Sequence, residues 1–221
     1  MNIHHLHTFN VTIKQACEIQ IQLATKILKT KLIHIPKIIA GIDISVKSNS
    51  EAVAAGVVLS YPELRILEVV VVKGEVLFPY VPGLLSFREM PLSLDVCEKI
   101  KSNPDIILVD GQGIAHPRRI GFASHLGLFL DKPTIGCAKS PLFGHFLEPG
   151  VDFGSISSII DNEGETIGAV LRTKSGVKPL YISIGHNIDL ASSINWVLKC
   201  CEGYRLPQPT RLAHLASKGN L

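Results

Sequence analysis

The chain has 221 residues, 46% apolar and 19% charged, with a formal net charge of +3. So much apolar content with so little charge excludes a disordered chain, and no apolar run approaches the roughly 20 residues a bilayer span needs. The first thirty residues mix His, Lys, Gln and Glu with apolar residues, which predicts that they are not a signal peptide. The cysteines Cys17, Cys97, Cys137, Cys200 and Cys201 are odd in number and free of CxxC spacing, so reduced thiols and a cytoplasmic setting are expected. Charge is uneven. From Thr166 onward seven Lys/Arg face only Asp189 and Glu202, a basic surface that suits phosphates or plain solvent alike.

Apolar residues at helical spacing predict an amphipathic helix over Thr12–Leu28. Before it, His4, His5 and His7 read as a frayed tail rather than as an adventitious metal site. Three β-branched runs follow, Ile38–Ser45, Val53–Ser60 and Arg65–Val72. The turn chemistry between them, Lys47-Ser-Asn-Ser and Tyr61-Pro-Glu, predicts an antiparallel meander. Helix and strand then alternate: a helix over Phe87–Lys101, a buried strand Asp105–Asp110, a helix Gly121–Leu130 and a buried strand Pro133–Ala138. Continuous apolar strands belong to parallel sheets covered on both faces, and a right-handed crossover lays Asp105–Asp110 parallel to Ile38–Ser45. The expectation is an α/β, ribonuclease H-like mixed sheet, a three-strand meander plus parallel strands, flanked by helices. Further elements at Thr166–Thr173, Leu180–Ile184 and a helix Leu190–Lys199 are less firmly placed by pattern. Length predicts one domain over 1–221, its core at about 38–140 with a C-terminal extension.

That order brings carboxylates together. Asp43 lies near the end of the first strand and Asp110 closes the fourth. Strands about 4.8 Å apart let aligned aspartates share a cation, whereas either alone would do as a turn cap. Glu89 stands just inside the helix Phe87–Lys101, either as a third carboxylate or as a first-turn residue facing the helix dipole. Three carboxylates from separate segments suit Mg²⁺. The loop Gly111–Gly121 is glycine-rich but lacks GxGxxG and GK[ST], so a mononucleotide fold is not indicated. Within it, Arg118 and Arg119 are candidates for phosphate contacts, and His116 for orienting a base or a water. Lys139, ending its strand on the same edge as Asp110, either stabilises charge on a phosphate or simply snorkels.

The runs PYVPGLLSFRE (Pro79–Glu89), VDGQGIAHPRRIGFASHLG (Val109–Gly127), PTIGCAKS (Pro133–Ser140) and YRLPQPTRLAH (Tyr204–His214), with AGIDIS at the first strand, closely resemble the endonuclease V family. The resemblance implies a Mg²⁺-dependent nuclease, with Mn²⁺ substituting, that finds hypoxanthine (deoxyinosine or inosine) in nucleic acid. It implies a cut at the second phosphodiester 3′ to the lesion, leaving 3′-hydroxyl and 5′-phosphate ends. On matching positions it implies Asp43, Asp110 and Glu89 as metal ligands, with Lys139 and His214 as further catalytic residues. Tyr80, between prolines, resembles the wedge that fills the helix where the base leaves. A pocket lined by Gly83, Leu85, Gly111, Gly113, His116 and Gly121 would read O6 and N1–H and leave no room for the guanine N2 amino group. The chain departs from the family's pattern at Pro141, Phe122 and Gln208, which bear on phosphate affinity and pocket size. A monomer is expected. Three readings compete: an endoribonuclease acting on inosine in RNA, a non-cutting repair tether, and a resolvase relative. Three convergent carboxylates argue against the tether, and the Pro-Tyr-Val-Pro-Gly segment argues against the resolvase.

Overall fold

Strand β1 (Ile38–Val46) is the axis of the fold. In the computed structural model, which describes residues 1–47 and 50–221, it pairs antiparallel with β2 (Glu51–Ser60), from Ile38 opposite Ser60 to Val46 opposite Ala52. β3 (Ile66–Glu75) completes the meander on the far side of β2. The predicted turn at Lys47–Ser50 includes residues 48 and 49, which lie outside the described residues. Helix α2 (Leu85–Lys99) then crosses over to β4 (Ile106–Val109), which lies parallel to β1 with Val109 opposite Ile42. Helix α3 (Phe122–Leu130) makes the next crossover to β5 (Thr134–Ala138), parallel to β4. All nine residues of α3 are buried, as a helix apolar on every side must be.

Beyond β5 the sheet turns antiparallel through β8 (Leu180–His186), β7 (Thr166–Leu171) and β6 (Ile156–Ile160), in the order β3-β2-β1-β4-β5-β8-β7-β6. One face carries α2 and α3 over Ala40, Ile42, Ile107 and Val109. The other carries α4 (Leu190–Lys199), whose Trp196 and Val197 meet Ile39, Ile106 and Leu108. Helix α5 (Gln208–Ser217) lies on that same face, Ala213 and Ala216 against Ala55, Val57 and Leu59. It comes very close to β1 because residue 41 is glycine: a Cβ there would sit 2.0 Å from the Pro209 carbonyl oxygen. Among the described residues, no helix is long and apolar enough to cross a membrane.

The meander and the parallel crossover agree with the sequence expectation. Helix α1 (Ile13–Ala24) is shorter than Thr12–Leu28, because Thr12 is its N-cap, joined to Gln15 in a capping box, and the chain leaves the helix after Ala24. Asp105 lies outside β4, and its Oδ2 accepts the N–H groups of Lys37 and Ile38 at 2.8 and 2.9 Å. Two elements, β6 and α5, were not expected as such.

The frayed-tail reading of His4, His5 and His7 is corrected. The Met1 ammonium donates to the carbonyls of Cys97 and Ile100 at 3.0 and 3.1 Å, and Phe9 stacks on Phe129 at 5.6 Å. His7 Nε2 lies 2.7 Å from His125 Nε2, with the His125 ring packed among Phe87 and Phe129. The tail is held because apolar rings on α2 and α3 offer it a surface, a long-range fact that local spacing does not carry.

Burial drives the His125 imidazole down to about 3 and that of His116 to about 4. Unfolded, both titrate near 6.5. As the pH falls from about 6.5 toward 4, the unfolded chain takes up protons that the folded chain refuses, so these two groups cost stability on the acid side. His125→Phe, close in size and set among phenylalanines, is expected to flatten the fall of Tm across that window. An acid slope identical to the wild type would contradict this.

Candidate active site

The parallel strands β1, β4 and β5 all deliver their C-terminal ends to one edge of the sheet, and the polar residues gather there. Asp43 continues β1 past its pairing with Val109. Asp110 is the next residue after Val109, and its N–H bonds the Ile42 carbonyl at 3.3 Å. From the other side of β1, the last turns of α5 bring His214 to the same edge. Ligand atoms of Asp43, Asp110 and His214 all lie within 4.8 Å of one another, the spacing of donors around one cation. Lys139, the residue after β5, forms an ion pair with Asp110.

Oxygens this close repel, and burial sharpens the repulsion. Burial pushes the Asp43 carboxyl up to about 6, with Asp110 adding to the rise and the Ser217 hydroxyl and His214 opposing it. Glu89 is pushed further, to about 8, first by burial and then by Asp43, against a smaller opposing pull from Arg88. The expected ligand set needs adjustment here. Glu89 reaches the edge from α2, on the face opposite α5, and senses both aspartates electrostatically, but it stands outside the close group that His214 joins.

The raised carboxyls make a stability prediction whose sign runs opposite to that of the histidines. Between pH values of about 4.5 and 8, the unfolded chain releases the Glu89 proton while the folded chain keeps it, so metal-free stability falls as the pH rises. In EDTA at about pH 8, Glu89→Gln is expected to raise Tm by several degrees, and the gain should vanish near pH 4.5. A variant no more stable than wild type at pH 8 would contradict this.

A pocket of about 360 Å³ opens beside Asp110 and Lys139. Tyr80, Gly83, Leu85, Gly111, His116 and Gly121 all line it, as expected from the sequence, together with Phe122 and Pro141. Gly113 does not. It sits behind the wall, its N–H on Ser183 Oγ at 2.8 Å and its carbonyl accepting from Gly121 at 2.9 Å. Tyr80 is 72% exposed at the rim.

Three donors converge on one carbonyl to shape the pocket. Gly83 adopts φ +79°, open to glycine at little cost. Its oxygen accepts from His116 Nε2 at 2.9 Å, Arg118 Nη2 at 3.0 Å and Gln20 Nε2 at 3.0 Å. His116 Nδ1 in turn accepts the Arg118 N–H at 3.1 Å, so the ring is neutral with its proton on Nε2. His116 therefore braces the pocket loop and has no nitrogen left to orient a water. The expected phosphate role of the two arginines is corrected likewise: Arg118 also donates to Gln20 Oε1 at 2.5 Å, and Arg119 pairs with buried Asp161. Gln208, the third departure, bonds Glu202 and Arg211 rather than facing the pocket. Sequence reasoning missed Gln20, Ser217 and Gln112, the last donating to the Ser140 carbonyl at 2.9 Å. Only the prolines and apolar spacing of α5 point locally to Ser217, and nothing local points to Gln20 or Gln112.

Residues 21–215 match the family model described as Endonuclease V. A protein named Endonuclease V from Dehalococcoides mccartyi is 48% identical over 218 residues, covering 98% of this chain and 97% of its own length. Another from Methanothrix thermoacetophila is 48% identical, covering 98% and 96%. The crystal structure of the Bacillus subtilis Endonuclease V superposes with a TM-score of 0.94 at 34% identity, covering 99% of this chain and 96% of that one. A Ciona intestinalis Endonuclease V, solved with a 24mer DNA containing an inosine followed by a ribo-adenosine, superposes with a TM-score of 0.82 at 27% identity, covering 94% and 96%.

Proposed function

This chain belongs to the endonuclease V family, and we propose on that basis that it is a divalent-metal-dependent endonuclease that recognises hypoxanthine in nucleic acid and hydrolyses the second phosphodiester 3′ to it. The observation that carries this reading is a shared wall: Asp110 and Lys139 border the base-sized pocket, and Asp110 also belongs to the close ligand group with Asp43 and His214. A base held in the pocket therefore keeps its strand's backbone next to the carboxylates.

The donor set fits a hard cation such as Mg²⁺, with Mn²⁺ substituting: two carboxylates and one imidazole at one edge, with Glu89 nearby. When bound, the cation supplies Lewis acidity at the phosphate and a water activated for attack. The chain's own residues do the rest. Asp43 and Asp110 hold the cation, and His214 stands beside them. The Lys139 ammonium, beside Asp110 at the same edge, would stabilise the charge that develops on the phosphate. Glu89, whose carboxyl is pushed up to about 8 without metal, would take or give a proton at the leaving or attacking oxygen. The pocket loop, pinned through the Gly83 carbonyl, presents backbone donors and acceptors suited to O6 and N1–H. Hypoxanthine would be told from guanine by the absence of the N2 amino group, which a tight fit of the pocket backbone would exclude.

A second reading, action on inosine in RNA, has one observation in its favour: the oligonucleotide in the Ciona intestinalis complex carries a ribo-adenosine after the inosine. Labelled duplex with one deoxyinosine, its adenine control and the inosine-RNA counterpart, each with Mg²⁺ and with EDTA, separate these readings. Metal-dependent cutting of the deoxyinosine strand alone is expected. Cutting confined to RNA would select the second reading, and cutting of the adenine control would overturn both.

A further inference from the structure

Asp43 is held by a residue that no metal motif contains. The buried Ser217, 2% exposed in the last turn of α5, places its Oγ 2.6 Å from Asp43 Oδ2 and 3.0 Å from the His214 carbonyl. A hydroxyl has one proton to give, and the nearer, charged acceptor takes it. Three residues apart on one helix, His214 and Ser217 face the same carboxylate, and His214 Nδ1 approaches the same Oδ2 at 3.3 Å. The end of the helix is itself fixed. Lys218 Nζ donates to Ser45 Oγ at 2.8 Å, two residues along the same face of β1 from Asp43, and the start of the helix is pressed onto Gly41.

We propose that Ser217 is a positioning residue for the Asp43 carboxylate, locking its plane in the orientation in which it shares a divalent cation with Asp110. The inference rests on the metal reading above. Without the hydroxyl the carboxylate is free to turn about its terminal bond, which is broad and poorly restrained in aspartate, and part of the cation's binding energy is spent in fixing it. The role is specific to the metal: Ser217 is buried, so its loss is expected to leave substrate affinity alone.

The test is Mn²⁺ binding to the full-length protein without nucleic acid, read by the electron paramagnetic resonance signal of free Mn²⁺. Ser217→Ala is expected to weaken binding roughly tenfold or more. Ser217→Thr keeps the hydroxyl and is expected to stay near wild type, and Asp110→Asn is expected to lose binding. The half-saturating Mg²⁺ concentration for cleavage should rise by the same factor in Ser217→Ala, with the rate at saturating Mg²⁺ largely restored. Because added metal can also rescue a weakened fold by mass action, the Tm of Ser217→Ala in EDTA is expected to stay near wild type, which separates lost positioning from a damaged fold. If the alanine variant does not fold, Ser217→Cys, similar in size and a much poorer donor, is expected to show the same loss. Wild-type Mn²⁺ binding in Ser217→Ala, or in Ser217→Cys, beside lost binding in Asp110→Asn overturns this inference alone. Wild-type binding in Asp110→Asn overturns the metal reading itself.

Discussion

Asp110→Asn is expected to abolish cleavage while leaving hypoxanthine binding intact. The asparagine keeps the size of the side chain but removes the charge from the one residue that both the ligand group and the pocket wall contain. Removing a preorganised charge clamp at the reacting phosphate costs on the order of 10³-fold in rate. Binding should move the other way. Lys139 loses its ion-pair partner and faces a polyanion with a free ammonium, and a negative charge has been taken from the path of the phosphates. A gel-shift assay in EDTA should therefore show the variant preferring hypoxanthine over adenine at least as well as wild type. Retained cleavage would show that Asp110 is not part of the catalytic group. Lost binding in a folded variant would show that recognition and metal are not separable.

The second large effect belongs to Tyr80. Its ring is 72% exposed at the rim of the pocket, between Pro79 and Pro82, which stiffen the backbone on either side. An exposed aromatic plate beside a base-sized pocket is suited to replacing the stacking a base loses on leaving the helix. Stacking of one base on an aromatic side chain is worth about 1–3 kcal/mol, so Tyr80→Ala should weaken duplex cleavage roughly 5- to 150-fold. Single-stranded substrate offers no gap to fill and should lose much less. Equal losses on the two substrates would remove the wedge role.

The parts of this site that were legible in the sequence are those that follow from chain order. A meander followed by a right-handed crossover admits few arrangements, and it puts the residue after β4 beside the interior of β1, so the adjacency of Asp43 and Asp110 was available from pattern alone. The pocket-lining glycines followed from the resemblance, with Gly113 the exception because its N–H and carbonyl are taken up by Ser183 and Gly121 behind the wall. The partners of polar side chains were not legible. His116, Arg118 and Arg119 sit in one short loop, yet their partners are Gly83, Gln20 and Asp161, 30 to 100 residues away. Helix α5 did leave a signal. Pro207 and Pro209 at a helix start, where no N–H donor is needed, followed by apolar Leu212, Ala213 and Ala216, would have placed His214 and Ser217 on one face. The docked N-terminal segment left none, since its rings find their partners only once α2 and α3 are packed.

In the proposed reaction one pocket holds the base while the adjacent carboxylates cut the same strand at a fixed distance from it. Mapping the product ends of a duplex carrying one deoxyinosine, with both strands labelled, tests it most directly. A single Mg²⁺-dependent nick is expected at the second phosphodiester 3′ to the lesion, with 3′-hydroxyl and 5′-phosphate ends and the opposite strand whole. Nicks scattered about the lesion, or a nick that persists in EDTA, would contradict it.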